Sequence, residues 1–199
     1  MSINLIKEQK INLRKPTETN QEYDLSNVTI GLGWDIAKTG GIFGSRPDYD
    51  LDACALLLQE NKLKDQSDIV SYQNPRHASG KIWSNGDNLT GAGDGDDEQI
   101  VCKLESLDSK YNKVVFYASI YQGKSRNQNF GGVENAFIRL VDNNQKEICK
   151  FKLSGNPSLK EKCSFIFGEV YRTENGWEFN ALAKDETTDN LKDIARMYQ

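Results

Sequence analysis

The feature that most narrows the fold is a period of two. Short runs rich in alternating apolar and polar side chains recur along the chain: "INLIK", "KINLR", "NVTIGLGW", "DYDLDACALLL", "DIVSYQ", "EQIVCKL", "KVVFYASIYQ", "AFIRLVD", "EICKFKL", "CSFIFGEVYR" and "WEFNALAK". Successive side chains of a strand point to opposite faces, so each run puts its apolar residues on one side of a sheet. The runs are rich in Val, Ile, Phe and Tyr and are bounded by turn residues such as Asn143-Asn144, Gly155-Asn156-Pro157 and Asn175-Gly176. "YRTENGWEF" predicts a hairpin, because Asn-Gly suits the two positive φ values of a type I′ turn. About ten strands with almost no helical period between them predict an all-β chain, a two-sheet β-sandwich. The exception is "TTDNLKDIARMYQ", which puts Leu191, Ile194, Ala195 and Tyr198 on one face of a short C-terminal helix, with Thr188 or Asp189 as N-cap.

Composition sets the outer limits. With 199 residues, 37% hydrophobic and 27% charged, the chain has enough apolar material for a packed core. No repeat, low-complexity tract or linker divides it, so a single domain over residues 1–199 is expected. The net charge is −4, and no stretch clusters Lys and Arg with aromatics, which argues against nucleic acid as a partner. "MSINLIKEQKINLRK" lacks the apolar run of a signal peptide, and no segment approaches the roughly 20 apolar residues of a membrane span. A cytoplasmic protein without direct membrane insertion is the expectation. Cys54, Cys102, Cys149 and Cys163 stand apart from one another, which predicts buried, reduced thiols rather than a metal clip. His77 is the single histidine and has no cysteine nearby, which argues against zinc.

Against this background "SNGDNLTGAGDGDDEQ", residues 84–99, is anomalous. Asp87, Asp94, Asp96, Asp97 and Glu98 fall within twelve residues, interleaved with three glycines and preceded by a fourth, Gly86. Two carboxylates about 5 Å apart repel by roughly 3 kcal/mol at an effective dielectric near 20. Crowding them calls for a cation or for full solvation. Calcium takes six to eight oxygens from carboxylates, carbonyls and waters, and Gly91, Gly93 and Gly95 let a backbone turn its carbonyls inward. Asn88 and Thr90 add neutral oxygens. The loop is not an EF-hand: counted from Asp87, Glu98 takes the twelfth place, but Leu89, Gly91 and Ala92 fill the third, fifth and sixth. "GAGDGDD" resembles one repeat of a calcium β-roll, which needs tandem copies. A second acidic group lies in "RPDYDLDACALLL", where Asp48, Asp50 and Asp52 share one face of a strand. These residues favour calcium; magnesium, or a solvated loop beside a polar edge that resists aggregation, stays open.

Other motifs carry less. "GKS" at 123–125 lacks the phosphate loop's first glycine, since position 118 is Ala118, and no helix pattern follows. "SRNQNFGGVENAF" reads as a connection between core strands, and its polar cluster Arg126 to Asn129 as a recognition patch only in the alternative. Trp34 and Trp83 are expected to anchor the core. No nucleophile motif accompanies His77, so a non-catalytic protein is expected. The alternative is a metal-dependent hydrolase in which the same acidic loop holds an ion with open positions.

"VTIGLGWD", "DYDLDACALLL", "NGDNLTGAGDGDDEQI", "KVVFYASIYQGKSRNQNFGGVENAFIRLVD" and "FIFGEVYRTENGWEFNAL", in that order, resemble the TerD family of tellurite-resistance and stress-response proteins. The resemblance spans residues 1 to about 183 and rests chiefly on the acidic string. It implies a two-sheet β-sandwich that binds calcium. It also implies a cytoplasmic stress role, peripheral to the inner membrane face, with other tellurite-resistance proteins and an integral-membrane protein as partners. Position by position it implies metal binding by Asp50 and Asp52 of the strand, by Asp87 and Asn88 of the turn, and by Gly91, Gly93, Asp94, Asp96, Asp97 and Glu98 of the acidic end, with Asp35 a weaker candidate. Ala92 stands where the family pattern has Glu, which removes one carboxylate, and "AKDETTDNLKD" replaces the family's glycine-rich C-terminal stretch.

Overall fold

The alternating runs fold as strands, and the strands form two stacked sheets. A computed structural model describes residues 3–4, 10–12, 23–35, 48–85, 95–174 and 176–199. Its strands are β1 (Ile3–Asn4), β2 (Lys10–Asn12), β3 (Val28–Asp35), β4 (Leu51–Leu58), β5 (Ile69–Val70), β6 (Ile82–Ser84), β7 (Glu98–Cys102), β8 (Lys113–Ile120), β9 (Glu134–Val141), β10 (Glu147–Lys152), β11 (Ser164–Thr173) and β12 (Gly176–Glu186). The helices are α1 (Gly123–Arg126) and α2 (Leu191–Arg196). One sheet has the order β1-β10-β9-β3-β7-β6 and the other β2-β12-β11-β8-β4-β5. β1 runs parallel to β10, and the remaining neighbours are antiparallel. The β-sandwich is therefore as expected, with twelve strands among the described residues rather than about ten. No helix among the described residues is long and apolar enough to cross a membrane.

The main core lies between the sheets. Ile30, Leu32 and Trp34 of β3 face Ala53, Ala55 and Leu57 of β4 and Phe116 and Ala118 of β8 across it. β4 is buried along all eight residues, which explains why "LDACALLL" lacks clean alternation. Its other face, Cys54, Leu56 and Leu58, joins a second apolar cluster with Val115, Tyr117 and Ile166, covered by Ile194 and Ala195 of α2. The helix is thus where "LKDIAR" predicts it, but Asn190 caps it rather than Thr188 or Asp189: the Asn190 carboxamide oxygen accepts from Lys192 N–H at 2.9 Å.

Four smaller expectations are met or corrected here. All four cysteines are free and buried. β11 and β12 form the hairpin, but Thr173 pairs with Gly176, so the turn is centred one residue earlier than a type I′ turn on Asn175-Gly176, and Gly176 carries the positive φ of 117°. Trp34 is a core anchor, whereas Trp83 lies half-buried on the outer face, its ring flanked by Arg76 and Lys103. "GKS" itself lies in the single helical turn of α1, with no helix continuing after it, and there Lys124 N–H donates to the Asp189 carboxylate at 2.8 Å, so an internal acid holds the backbone donor that a phosphate loop keeps for its anion.

Candidate metal centre

The two acidic segments touch where β7 of one sheet approaches β4 of the other. β5 pairs only with Ala55 and Leu56, which leaves the first half of β4 with an open edge, and β7 of the opposite sheet approaches β4. Glu98, the first residue of β7, reaches across: its Oε2 accepts the Ala53 N–H at 2.6 Å, and the side chain is buried. A carboxylate thus takes a ladder donor that β5 is too short to reach. Asp52, the next residue before Ala53, is 4% exposed, and Asp50 on the same strand face is 8% exposed. Burying ionised carboxylates at this density is costly unless positive charge or donors compensate.

The backbone around these acids is clamped. Asp50 C=O accepts from Tyr121 N–H (2.8 Å), Tyr49 C=O from Trp34 Nε1–H (3.1 Å) and Asp48 C=O from the Gln128 amide (3.3 Å). Gln128 and the buried Phe130 belong to "SRNQNFGGVENAF", so this segment is the connection the sequence predicts and also a brace for the acidic strand. On the other side, Asp97 N–H donates to Leu32 C=O (2.8 Å), and its Oδ2 accepts Trp34 N–H (2.9 Å), continuing the β3–β7 ladder one step past its end. Burial, then the negative charges of Asp35 and Asp96, push the Asp97 carboxyl above the ordinary range, against the lowering effect of the Trp34 bond. A cation at this position would relieve that repulsion.

Asp96 is held by β9. Arg139 grips it in a fork, Nε to Oδ1 at 2.7 Å and Nη2 to Oδ2 at 3.0 Å, and Gln99 Nε2 adds a bond to Oδ2 at 3.2 Å. The carboxylate lies flat over Gly31, where any Cβ would overlap it. Both oxygens are bonded and a guanidinium is the counter-ion, so Asp96 tethers the start of β7 to β9. Its neighbours Asp97 and Glu98 are thereby fixed facing elsewhere. Asp35 is bonded to the Asn135 amide at 2.6 Å.

The Glu98–Ala53 bond brings the acidic end of β7 to the backbone of β4; Asp50 and Asp52 lie on the Cys54 face of that strand, and Asp97 sits beside Trp34, Asp35 and Asp96 of the opposite sheet. Asp87, Asn88, Gly91, Gly93 and Asp94 lie outside the described residues. Among the described residues no three His, Cys, Asp or Glu side chains are grouped closely enough to hold a metal ion by themselves. The donors present are short, hard carboxylate oxygens and no nitrogen or sulfur, which fits calcium in kind. Sequence reasoning missed Arg139 and Gln128, because a lone Arg in a strand and a Gln in a connection carry no periodic signal.

His77 has partners that the sequence did not show. Its Nε2 lies 3.2 Å from Asp68 Oδ1 and its Nδ1 2.7 Å from Ser79 Oγ, while Tyr111 donates its hydroxyl to Asp68 at 2.6 Å. The order Ser, His, Asp resembles a catalytic relay, but the chemistry is that of a brace. Nδ1 also accepts Ser79 N–H (3.1 Å), Gly80 N–H is bonded to His77 C=O (2.8 Å), and Lys81 N–H to Ser79 Oγ (3.1 Å). The backbone donors around the hydroxyl are thus spent within one turn, and none is aimed at a substrate oxyanion.

Comparison with known proteins adds the family. The TerD domain model matches residues 1–198. The chain is 43% identical to tellurium resistance protein TerX of Serratia marcescens over the whole of both chains. It is 39% identical to tellurium resistance protein TerD of the same organism, covering 92% of this chain and 91% of the relative. It is 37% identical to stress response protein SCP2 of Bacillus subtilis (strain 168), again over the full length of both. A solved Streptomyces coelicolor homologue of telluride resistance protein (TerD) superposes with a TM-score of 0.70 at 20% identity, covering 87% of this chain and 98% of that one, a likeness that speaks to the fold alone.

Proposed function

The chain belongs to the TerD domain family of tellurium-resistance and stress-response proteins, and on that premise we propose that it is a calcium-binding stress protein that has no turnover of its own and acts through partners. The observation that carries this reading is the Glu98–Ala53 bond, which ties the acidic end of one segment to the Asp50/Asp52 strand of the other. Asp50, Asp52, Asp97 and Glu98 supply oxygens from the described part of the fold, and Asp87, Asn88, Gly91, Gly93 and Asp94 are the further ligands. Asp96 is not in the set, because Arg139 holds it. Bound calcium supplies cross-linking charge: it joins two sheet edges through acids that otherwise repel. Ala92 in place of a carboxylate lowers the affinity. The partners are other tellurite-resistance or stress proteins, one of them in the membrane, met from the cytoplasmic side. Nothing among the described residues favours the hydrolase alternative.

The test is calorimetric titration with calcium, with magnesium as competitor, joined to thermal melts in EDTA, calcium or magnesium at pH 7. Binding to the native state alone adds about 2.7 kcal/mol at a hundredfold excess over Kd, roughly 5–10 °C for a domain of this size. Calcium should raise the melting temperature by that order. Magnesium should do so poorly, because it prefers tight octahedral geometry and keeps its waters. Asp50→Asn should weaken calcium binding by more than about tenfold, the loss of one charged ligand. Coincident melts in all three solutions would overturn the calcium reading, and unchanged binding by Asp50→Asn would separate the two acidic segments.

A further inference from the structure

On the outer face of the second sheet, α2 leaves a groove against the loop that follows β5. It consists of two adjoining cavities, of about 150 Å³ and about 280 Å³, which share Gln73, Leu191 and Lys192. The two exposed large hydrophobic side chains among the described residues both flank α2: Tyr72, 44% exposed, lines the larger cavity, and Met197 follows the helix directly. Tyr72 stands edge-on to Tyr121 at 5.6 Å, and the Arg126 guanidinium lies 5.0 Å from the Tyr121 ring. Exposed tyrosine backed by arginine is the composition of an interface centre rather than of ordinary surface.

The charge around the groove is inverted relative to the molecule. The chain carries −4 overall, yet Arg196, Lys192 and Arg126 follow one another along this groove, with Lys124 beside the last. Two acids lie among them: Asp193 pairs with Arg196 at 2.9 Å, and Asp189, in the wall of the larger cavity, accepts from the Lys124 backbone and keeps its negative charge beside Lys192. No ion pair joins Lys124, Arg126 or Lys192 to an acid among the described residues. Between the cations the walls are side-chain amides, Gln73, Asn74, Gln122 and Gln199, groups that match a peptide main chain in both donor and acceptor. A nucleic acid would want a continuous basic stripe and free ring faces for stacking. Here the cations are spaced apart, and Tyr121 is already engaged by Tyr72 and Arg126.

We propose that this groove docks an extended acidic segment of a partner protein, with an apolar side chain of that segment against Tyr72 and its carboxylates on Lys192 and Arg126. The inference rests on the reading that the protein acts through partners; it needs no calcium in the groove, although Tyr121 of the groove wall donates its N–H to Asp50 C=O. The experiment presents the full chain to an array of peptides about ten residues long, in which acidic content and apolar spacing vary, with lysine-rich counterparts and a single-stranded thymidine oligonucleotide as separate arms. Acidic peptides that carry an apolar residue should be retained. Affinity should fall at least about tenfold in the double variant Arg126→Glu/Lys192→Glu and in Tyr72→Ala, as expected for losing charge complementarity or a central aromatic contact. Lys152→Glu on the other sheet should leave binding unchanged, and all these surface variants should melt with the parent. Retention of basic peptides, retention indifferent to Arg126, Lys192 and Tyr72, no retention of acidic peptides, or oligonucleotide binding lost in the same variants would each overturn the proposal. Each arm is run in EDTA and in calcium. Acidic-peptide binding lost on charge reversal in both solutions supports the groove even where the calcium titration fails.

Discussion

Asp96 and Arg139 show how one contact sorts an acidic cluster into roles. Without the fork, Asp96 would add its charge to Asp97 and Glu98; with it, one acid is neutralised and the chain direction through the next two is set. The fork needs the space above Gly31, where a methyl group would overlap the Asp96 carboxylate. Gly31→Ala should therefore cost about 1–3 kcal/mol by forcing that side chain off its partner. In an Asp96→Ala background the same change should cost less by about 1 kcal/mol or more, because nothing is left to displace. Urea unfolding of the four proteins closes the cycle, and simple additivity would show that Gly31 is small for another reason. The acidic string and the Asp50/Asp52 strand were readable as a site because carboxylates at that density have few other uses. How Asp96 and Asp97 are held was not readable, since the answer lies with Arg139 on a strand far away in sequence and with Trp34, whose contribution is a backbone N–H.

At the scale of elements, the legible parts were those with a long period. Strands of eight residues or more, such as β9 and β12, announce one wet and one dry face, whereas β6 has three residues, too few to show a period. β4 is buried on both faces only because α2 covers the outer one, so its apolar run and the helix at the far end of the chain explain each other. That dependence makes α2 a cover with a measurable effect. Ile194 is fully buried in the same cluster as Cys54, and Asn190 caps the six-residue helix. Asn190→Ala should lower stability by about 1 kcal/mol. Ile194→Asp should release the helix while the sandwich stays folded, and a thiol reagent in native buffer should then label Cys54. In the parent the thiols should react only on unfolding, since all four are buried and burial raises the thiol pKa of Cys54 and Cys102. If Ile194→Asp leaves Cys54 as unreactive as before, α2 is not what shields that face.

At the scale of the whole molecule, the tyrosines report how closely the two-layer fold is packed. Tyr23, Tyr111, Tyr117, Tyr171 and Tyr198 are all held above the ordinary phenol value of 10.0, in each case with burial as the first cause. For Tyr171 and Tyr198 the rise reaches about 12. Tyr171 adds a bond to Glu178 at 2.6 Å and Tyr111 one to Asp68 at 2.6 Å, each donating the proton it would have to lose. A phenol raised in the folded state favours folding fully below its unfolded value, and this contribution is lost as pH climbs through the folded value. The window runs from 10.0 to about 12, and several residues draw on it together. Because ionising any one of them is easier in the unfolded chain, proton release and unfolding should occur in a single cooperative step. Tyrosinate absorbance and far-ultraviolet circular dichroism, followed together from pH 9 upward, should change along one steep curve within that window. The curve should not move when EDTA replaces calcium by more than the ordinary stability difference between the two forms. A smooth titration of most tyrosines near pH 10 with the dichroism intact would mean that the layers open to solvent without unfolding, and that the interior is looser than these contacts require.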